Sequence, residues 1–327
     1  MQTLSLTKAN SLTDSLSGLL ELHRSCFSDY IGVLPSESSF LDWYLKRPGL
    51  GEENVFIFST GDTIVSALFL TLSRFRLGSD YLPVGIIDTV MTHPEFRRQG
   101  LASQLMKEAE KHMRKHGCRF GYLYTIPGTS QFNLYQRLGY HDHKRVFHLT
   151  KKSACQDSSG FPKGNFSMDK VQDFLNHSFR DRNGFVPLEN SMWQWRKVNR
   201  PSTLPVRLVN VGENDLRSSI TVGTGKITTG KGDWEKAAFL SDWAGKSPAD
   251  LERVLQIALS TLPEGVVCDI LCPVDNKEEW NILVKHGFMQ AMEESAMLYP
   301  LDEEAGNLME KHREGKWYPL IESVVGV

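Results

Sequence analysis

The sequence contains an internal repeat, and this repeat limits the possible folds more than any other feature. Seven residues of one ungapped stretch recur 152 positions later: Phe27, Asp29, Gly32, Pro35, Glu37, Ser39 and Trp43 return as Phe179, Asp181, Gly184, Pro187, Glu189, Ser191 and Trp195. Self-similarity at a fixed period indicates repeated structural units. Leu138-Gly139-Tyr140 and His286-Gly287-Phe288 also correspond, at an offset of 148, so we predict a tandem duplication.

The length of the chain agrees with two units. A chain of 327 residues is longer than most single domains. Residues 151–167 contain Gly, Ser, Pro and Lys without apolar periodicity, which predicts a linker. The first unit is then predicted to cover residues 1–150, and the second unit, with a C-terminal tail, residues 168–327.

Apolar patterns in the first unit predict helices and strands in an order typical of an α/β domain. From position 101 the residues Leu101, Leu105, Met106, Ala109 and Met113 recur at the spacing of a helix with one buried face, which Gly117 ends. The other predicted helices are 14–26, 36–45 and 131–138, and the predicted strands are 54–59, 63–74, 81–92, 120–125 and 140–150.

Composition excludes several function classes. The 37 Lys and Arg residues balance 39 Asp and Glu residues, whereas a nucleic-acid binder is expected to carry a strongly basic domain. No segment has the roughly 18 apolar residues needed to span a bilayer, and residues 1–11 do not resemble a leader peptide. We therefore expect a soluble, cytoplasmic protein that binds neither nucleic acid nor membrane.

The cysteines give no sign of a disulfide framework or a metal site. The set is odd and scattered, as expected of reduced thiols, and comprises Cys26, Cys118, Cys155, Cys268 and Cys272. No His or Cys pair follows Cys268 and Cys272 at the spacing of a zinc site, so no bound metal is predicted.

A glycine-containing run, Arg97 to Ala102, separates the apolar strand that ends at Thr92 from the long amphipathic helix. Gly100 lets a phosphate approach the backbone, while the free N–H groups and the positive dipole end of the first helical turn attract an anion. Arginines beside the run add charge and forked donors. The sequence therefore predicts an anion site here.

Together with Pro94-Glu95-Phe96, this run resembles the acetyl-CoA pyrophosphate loop of the GNAT acetyltransferases, Arg/Gln-x-x-Gly-x-Gly/Ala, with Arg97, Gly100 and Ala102 at the defined positions. The resemblance implies two tandem GNAT-like domains, each a mixed, mostly antiparallel sheet flanked by helices, and acetyl-CoA as cosubstrate. It also implies that the pyrophosphate contacts Arg97, Arg98, Gln99, Gly100, Leu101 and Ala102, and that the pantetheine arm follows Val90, Met91 and Thr92. The tandem plan is similar to that of mycothiol synthase and some antibiotic self-resistance N-acetyltransferases.

Tyr135 is the candidate general acid. It lies in a segment, Leu134 to Tyr140, that resembles the Leu-Tyr-x-x-x-Gly-Phe segment of the family, where the tyrosine lies beside the cofactor sulfur. A phenol with a pKa near 10 suits a proton donor to a thiolate; the alternative is a tyrosine packed in the core. The family often has Asn where this chain has Gly128, and Ser130 or Asn133 is expected to replace it.

Asp88 is the candidate for handling the amine. It interrupts the apolar run Val84 to Met91, where many relatives carry a Glu that takes the amine proton. A carboxylate among apolar neighbours would have a raised pKa and would serve as a base or as a cation anchor. The alternative is a structural carboxylate, and His93 is a weaker candidate base.

The second unit lacks this set of residues. The corresponding helix start reads Trp243 to Asp250 without the Arg-x-x-Gly-x-Ala pattern, and Leu283 falls at the position of Tyr135. We therefore predict one active site, with the second unit forming a wall of the substrate cleft. Residues 1–150 carry 16 Lys and Arg against 14 Asp and Glu, which leaves 21 against 25 for the remainder, an acidic balance that favours a cationic acceptor.

The predicted function is the direct transfer of an acetyl group from acetyl-CoA to a primary amine of a small, cationic molecule, such as an antibiotic in self-resistance. A protein or peptide N-acetyltransferase and a non-catalytic acyl-CoA sensor are the alternatives. Retention of Tyr135 and Asp88 favours chemistry over sensing. The sequence leaves open whether the tail from Lys316 to Val327 reaches the cleft.

Overall fold

The structure is a computed structural model that describes residues 4–8, 12–27, 34, 37–154, 164–230 and 233–320. Its helices are α1 Leu12–Phe27, α2 Ser38–Leu45, α3 Leu101–Lys115, α4 Ser130–Arg137, α5 Met168–Phe179, α6 Asn190–Trp193, α7 Pro248–Ser260, α8 Lys277–Lys285 and α9 Glu303–Lys311. Its strands are β1 Leu4–Lys8, β2 Val55–Thr60, β3 Thr63–Leu77, β4 Asp80–Thr92, β5 Phe120–Thr125, β6 His141–Lys152, β7 Val206–Val211, β8 Ser218–Gly230, β9 Asp233–Gly245, β10 Val267–Pro273 and β11 Met289–Pro300.

The strands form one continuous sheet. It has 11 strands in the order β1-β2-β3-β4-β5-β11-β6-β10-β9-β8-β7. Neighbours are antiparallel except for two parallel pairs, β4 with β5 and β9 with β10. The mixed, mostly antiparallel sheet flanked by helices confirms the predicted fold class of two tandem GNAT-like domains.

The two halves exchange their closing strands. The last strand of the first half, β6, pairs with β10 of the second half, and β11 of the second half pairs with β5 of the first. These two closing strands also pair with each other at the middle of the sheet. Strand β6 runs to Lys152, past the predicted start of the linker, so the halves share one sheet. The remaining part of that linker from 155 to 163 lies outside the described residues.

Helices cover both faces of the first half. Side chains of a strand alternate between its two faces: Ala67 and Phe69 of β3 pack in the core beneath α1 and α2, whereas Leu68 and Leu70 pack beneath α3. The five apolar residues that predicted α3 are all buried against the sheet. The predicted end at Gly117 is also confirmed, since this residue has a φ of 69°, a left-handed conformation that suits the end of a helix.

The repeat persists in the backbone. Thr89 in β4 and Asp242 in β9 both have a positive φ, 51° and 46°, and each lies in a β-bulge against the preceding strand. These two residues are 153 positions apart, one more than the 152 that separate Trp43 from Trp195. A π-helical turn over Gln194–Val198 follows α6, and such turns accommodate an inserted residue.

None of the helices of the described residues is long and apolar enough to cross a membrane. Cys26, Cys118, Cys268 and Cys272 are buried free thiols, while Cys155 lies outside the described residues. Asp29, Gly32 and Pro35 of the sequence repeat and the tail after Leu320 also lie outside them.

Candidate active site

Strands β4 and β5 separate in the middle of the first half. They pair only from Val84 to Ile86 against Phe120 to Tyr122, and β4 then continues to Thr92 while β5 continues to Thr125. The edge of β4 over residues 90–92 that faces β5 therefore has no strand partner within residues 37–154. Strand edges of this kind bind extended chains through main-chain hydrogen bonds.

The opposite edge of the same segment is held firmly. Met91 and Thr92 pair with Ala67 and Ser66 of β3, and the Ser66 hydroxyl donates to the Met91 carbonyl at 2.6 Å. The bulge at Thr89 interrupts this pairing and increases the local twist of β4. The splayed strand is therefore anchored on one side and open on the other.

The loop after β4 presents backbone amides at the start of α3. A 3₁₀ turn over Pro94–Phe96 leads to Arg98 and Gly100, whose φ values are 63° and 80°. Alternation of left-handed and ordinary conformations turns successive N–H groups to one side, which forms an anion-binding concavity. Gly100 caps α3 without a side-chain hydrogen bond, so the dipole end of the helix is left open to a ligand.

In the loop, two side chains bind the backbone and one faces solvent. Arg97 Nε donates to the Thr92 carbonyl at 3.1 Å, which ties the loop to the end of β4. Gln99 Nε2 donates to the Glu95 carbonyl at 3.4 Å. Arg98 is exposed and supplies positive charge beside the amides. The loop, the open helix end and the free strand edge together fit the phosphates and the amide-rich arm of acetyl-CoA.

Tyr135 lies on the same face of the sheet as α3. Its side chain is 8% exposed and packs in a cluster that includes Leu101 of α3 and Leu123 of β5. Its ring centroid is 6.0 Å from that of Tyr140, which belongs to the same cluster. The structure therefore places Tyr135 in the core on the face of the sheet that α3 covers.

Ser130 and Asn133, expected near the cofactor, are exposed residues of α4. The Thr129 hydroxyl caps this helix by accepting from the Phe132 amide at 3.2 Å. Ser130 Oγ donates to the Gln131 side chain at 3.0 Å. Both residues thus lie at the exposed start of the helix that carries Tyr135.

Asp88 lies at the bulge of β4, and a residue that the sequence reasoning missed is bound to it. Arg47, just after α2, donates from Nη2 to Asp88 Oδ2 at 2.7 Å, and its side chain is 1% exposed. The Thr89 hydroxyl donates to the other carboxylate oxygen at 3.2 Å. Burial raises the pKa of the neighbouring Tyr44 phenol well above its usual value. No local pattern links Arg47 to a partner 41 positions away.

His93, the weaker candidate base, is part-exposed at the end of β4. Its Nδ1 lies 4.0 Å from a carboxylate oxygen of the exposed Glu95. Its backbone amide donates to the Val65 carbonyl at 2.9 Å, which extends the pairing with β3.

The second half repeats the splay but closes the anion site. Strands β9 and β10 pair only from Ala237 to Leu240 against Val267 to Ile270. At the start of α7 the Ser247 hydroxyl accepts from the Asp250 amide, and the Asp250 carboxylate binds Arg217 at 2.9 Å. The protein's own polar groups therefore occupy the helix end that is open in the first half.

A buried polar cluster lies where β9 and β10 separate. A cavity of about 80 Å³ lies there, lined in part by Leu240, Ile270 and Tyr318. Asp242 accepts from Arg196 at 3.1 Å and from the Lys197 ammonium group. Burial lowers the pKa of Lys197 to about 8, although Asp242 opposes this shift. Sequence reasoning missed this cluster.

The described residues contain no group of three or more His, Cys, Asp or Glu side chains arranged to hold a metal ion. At the position of Tyr135, Leu283 is fully buried and has no hydroxyl group. The helix that follows the first strand of each splayed pair is uncapped in the first half, at α3, and capped by Ser247 in the second half, at α7.

The part of the chain that contains the splayed strands and the loop matches a known protein family. The sequence profile of the acetyltransferase (GNAT) domain matches residues 11–142, which contain the loop, Asp88 and Tyr135. A search of the curated proteins found no significant match.

Several solved structures share the fold over nearly the whole chain. A GCN5-related N-acetyltransferase from Anabaena variabilis has a TM-score of 0.66 at 16% identity, covering 92% of this chain and 73% of that one. The N-myristoyltransferase of Saccharomyces cerevisiae with bound myristoyl-CoA has a TM-score of 0.69 at 12% identity, covering 92% and 79%. A probable N-acyltransferase from Enterococcus faecalis has a TM-score of 0.64 at 14% identity, covering 93% and 74%.

These likenesses establish the fold. Residues 11–142 match a GNAT acetyltransferase domain, and the surrounding fold is that of N-acyltransferases. Together these findings support an acyltransferase. The GNAT fold uses acetyl-CoA as acyl donor, and one of the similar structures holds an acyl-CoA.

Proposed function

We propose that the N-terminal half transfers the acetyl group of acetyl-CoA to a primary amine of a small, cationic molecule. One contrast between the halves carries the proposal. Both halves have a splayed pair of parallel strands, but the helix after the first strand of the pair is free of side-chain caps in the first half, at α3, and capped by Ser247 in the second half, at α7. The first half therefore has an anion site next to an open strand edge, and the second half does not.

The residues of the first half supply the needs of acyl transfer. The amine nitrogen attacks the thioester carbonyl carbon, the carbon–sulfur bond breaks, and the amine loses one proton. The free edge of residues 90–92 binds the donor and polarises its carbonyl. The Tyr135 hydroxyl gives its proton to the departing thiolate, the role of a general acid. Asp88 lies at the bulge of β4, where the amine would approach.

The choice of a cationic acceptor rests on charge. The part of the chain after residue 150 has 25 Asp and Glu against 21 Lys and Arg. A cationic amine is attracted by such a balance, although the attraction is screened by salt. Acetylation removes one positive charge and two of the three N–H donors of a protonated primary amine. Inactivation of an amine-bearing antibiotic in self-resistance would use that effect.

The proton donor is tested by thiol release from acetyl-CoA. Tyr135→Phe is expected to lower the rate by about 10²- to 10⁴-fold, the usual contribution of a general acid. Tyr140→Phe is the matched control, because it removes a hydroxyl from the same buried cluster and should leave the rate unchanged. Equal rates for wild type and Tyr135→Phe would discard the general-acid role.

The acceptor class is tested by mass spectrometry. The protein is incubated with acetyl-CoA and a library of small amines, peptides and lysine-containing proteins. Products that gain one acetyl group are expected among the small polycationic amines. Acetylation confined to peptide N-termini or protein lysines would contradict this acceptor class. Binding of acetyl-CoA without any acetylated product would favour a sensor.

A further inference from the structure

Asp88 and Arg47 form a nearly buried ion pair at the open strand. Nη2 of Arg47 lies 2.7 Å from Oδ2 of Asp88, and the two side chains are 1% and 15% exposed. Nη1 of Arg47 also donates to the Tyr44 hydroxyl at 3.4 Å, and the guanidinium lies over the Trp195 ring. The carboxylate is thus bound to a side chain that is itself fixed by packing.

The second half also contains an ion pair at its bulge, where Asp242 of β9 binds Arg196 of the π-helical turn. The repeat matches Asp88 with Ser241 and Arg47 with Arg200, so this pair uses neighbouring positions and not the same ones. In both halves a carboxylate at or beside the positive-φ residue of the bulge binds an arginine from the segment that follows α2 or α6. The ion pair holds the segment after the helix against the strand. It does so next to the residues whose edge toward the parallel neighbour has no strand partner.

The second half serves as an internal control. It keeps the bulge and carries a carboxylate–guanidinium pair there, one strand position later, yet its helix end is capped by Ser247 and Leu283 replaces the tyrosine. A carboxylate at this bulge in a half where acetyl transfer is not expected has a reason to be there other than proton transfer. A positive φ at a residue such as Thr89 is unfavourable and needs support from the surroundings.

We propose that Arg47 and Asp88 are a positioning pair that fixes the free edge of β4 for acetyl-CoA, and that Asp88 does not take the amine proton. The proton passes instead to water at the open end of the splay. This inference rests on the proposed function of the first half. Its consequence is that removing either partner weakens acetyl-CoA binding, which a base for the amine would not affect.

The test measures acetyl-CoA affinity by calorimetry and the pH profile of kcat/KM for the amine. Asp88→Asn and Arg47→Met are each expected to weaken acetyl-CoA binding about tenfold, and the double variant should bind no more weakly than either single variant. The ascending limb of the pH profile should persist in Asp88→Asn. Arg47→Lys keeps the charge without the fork and should recover part of the affinity.

Lys46→Met is the matched control. Lys46 is the neighbour of Arg47 and pairs with Asp42 on the surface, where its side chain is 70% exposed. This variant should bind acetyl-CoA like wild type. Thermal unfolding identifies folded variants, and Asp88→Asn, which keeps the shape of the side chain, decides the question alone if Arg47→Met does not fold.

A different pattern would overturn the inference. If Asp88→Asn binds acetyl-CoA normally but loses the ascending limb and about 10²-fold or more in rate, Asp88 is the base. Normal affinity and rate in Arg47→Met would likewise reject the pair. Failure of the wild type to bind acetyl-CoA would instead reject the proposed function, so the two failures can be distinguished.

Discussion

The indole rings of Trp43 and Trp195 lie parallel, with centroids 4.4 Å apart and an interplanar angle of 4°. Each Nε1 donates to the backbone carbonyl of the other residue, at 3.1 and 2.9 Å. Arg47 lies over the Trp195 ring and Arg200 over the Trp43 ring. Equivalent residues of the repeat thus make the same contacts with each other, so a pseudo-twofold axis passes between the two indoles.

The reciprocal contact predicts equal losses of stability. Trp43→Phe and Trp195→Phe each remove one N–H donor and the buried hydrogen bond that it makes, which costs about 0.5–1.5 kcal/mol. The free energy of unfolding in urea should fall by a similar amount in both variants. Trp234→Phe, at a residue 46% exposed, is the control and should change it by less than about 0.5 kcal/mol. A large loss in only one of the two variants would contradict the symmetry.

Much of the fold was predictable because its signals are local. The strand predicted over 81–92 is β4, Asp80–Thr92, and the helix predicted from 101 is α3, Leu101–Lys115. Strand β1, Leu4–Lys8, was missed because five residues with two apolar side chains give little pattern. The exchange of β6 and β11 was also missed. Both strands have similar patterns, and the choice of partner depends on packing between distant segments.

The site residues were likewise predictable only where the signal is local. The loop around Gly100 and the segment around Tyr135 are continuous motifs, so a resemblance could identify them. The bond from Arg47 to Asp88 spans 41 positions, and the bond from Arg196 to Asp242 spans 46. Nothing in the local sequence specifies which cation meets which carboxylate. The separation of β4 and β5 consists of hydrogen bonds that are not made. Residue types do not indicate where such bonds are absent.

The anion site predicts a specific effect of a methyl group at Gly100. A Cβ there would meet nothing closer than Gln104 Nε2 at 3.9 Å, but the φ of 80° is unfavourable for alanine. Gly100→Ala should lower stability by about 1–2 kcal/mol. It should also weaken acetyl-CoA binding by about tenfold or more, since one hydrogen bond to a charged group contributes about 1.5–3 kcal/mol.

Gly61→Ala is the control for Gly100→Ala. Gly61 also has a positive φ, 55°, with open space around its Cβ position, and it lies in the turn between β2 and β3. It should show the same loss of stability by thermal unfolding and unchanged acetyl-CoA binding by calorimetry. Equal weakening of binding in both variants would argue against phosphate contact at Gly100.

The polar cluster of the second half predicts a large effect of neutralising Asp242. Its side chain is fully buried between Arg196 and Lys197. Burial opposes the charge, but the two cations outweigh it and hold the pKa of Asp242 below its usual range. Asp242→Asn leaves buried positive charge uncompensated and should cost about 3–5 kcal/mol of unfolding free energy in urea.

Asp215→Asn provides the comparison for Asp242→Asn. Asp215 pairs with Lys246 on the surface, with a side chain 67% exposed. Exposed pairs contribute little to stability, so urea unfolding should hardly change. Similar losses of unfolding free energy in the two variants would show that burial does not increase the contribution of the Asp242 ion pairs to stability.

A buried histidine at the middle of the sheet predicts a loss of stability at high pH. His148 of β6 lies 2.8 Å from Asp269 of β10 and 3.8 Å from Glu294 of β11. Burial lowers the pKa of the imidazole, but the two carboxylates outweigh burial and raise the pKa to about 10, against 6.5 for a free histidine. The folded state therefore holds this proton more tightly than the unfolded state.

The stabilisation from His148 is fully present below about pH 6.5 and is lost as the pH rises toward 10. The free energy of unfolding, measured in urea at pH 6, 8 and 10, should fall over this range. His148→Gln should have a flatter dependence, while His116→Gln, at an exposed histidine, should follow wild type. The same slope in His148→Gln and wild type would show that this imidazole does not link the exchanged strands through its charge.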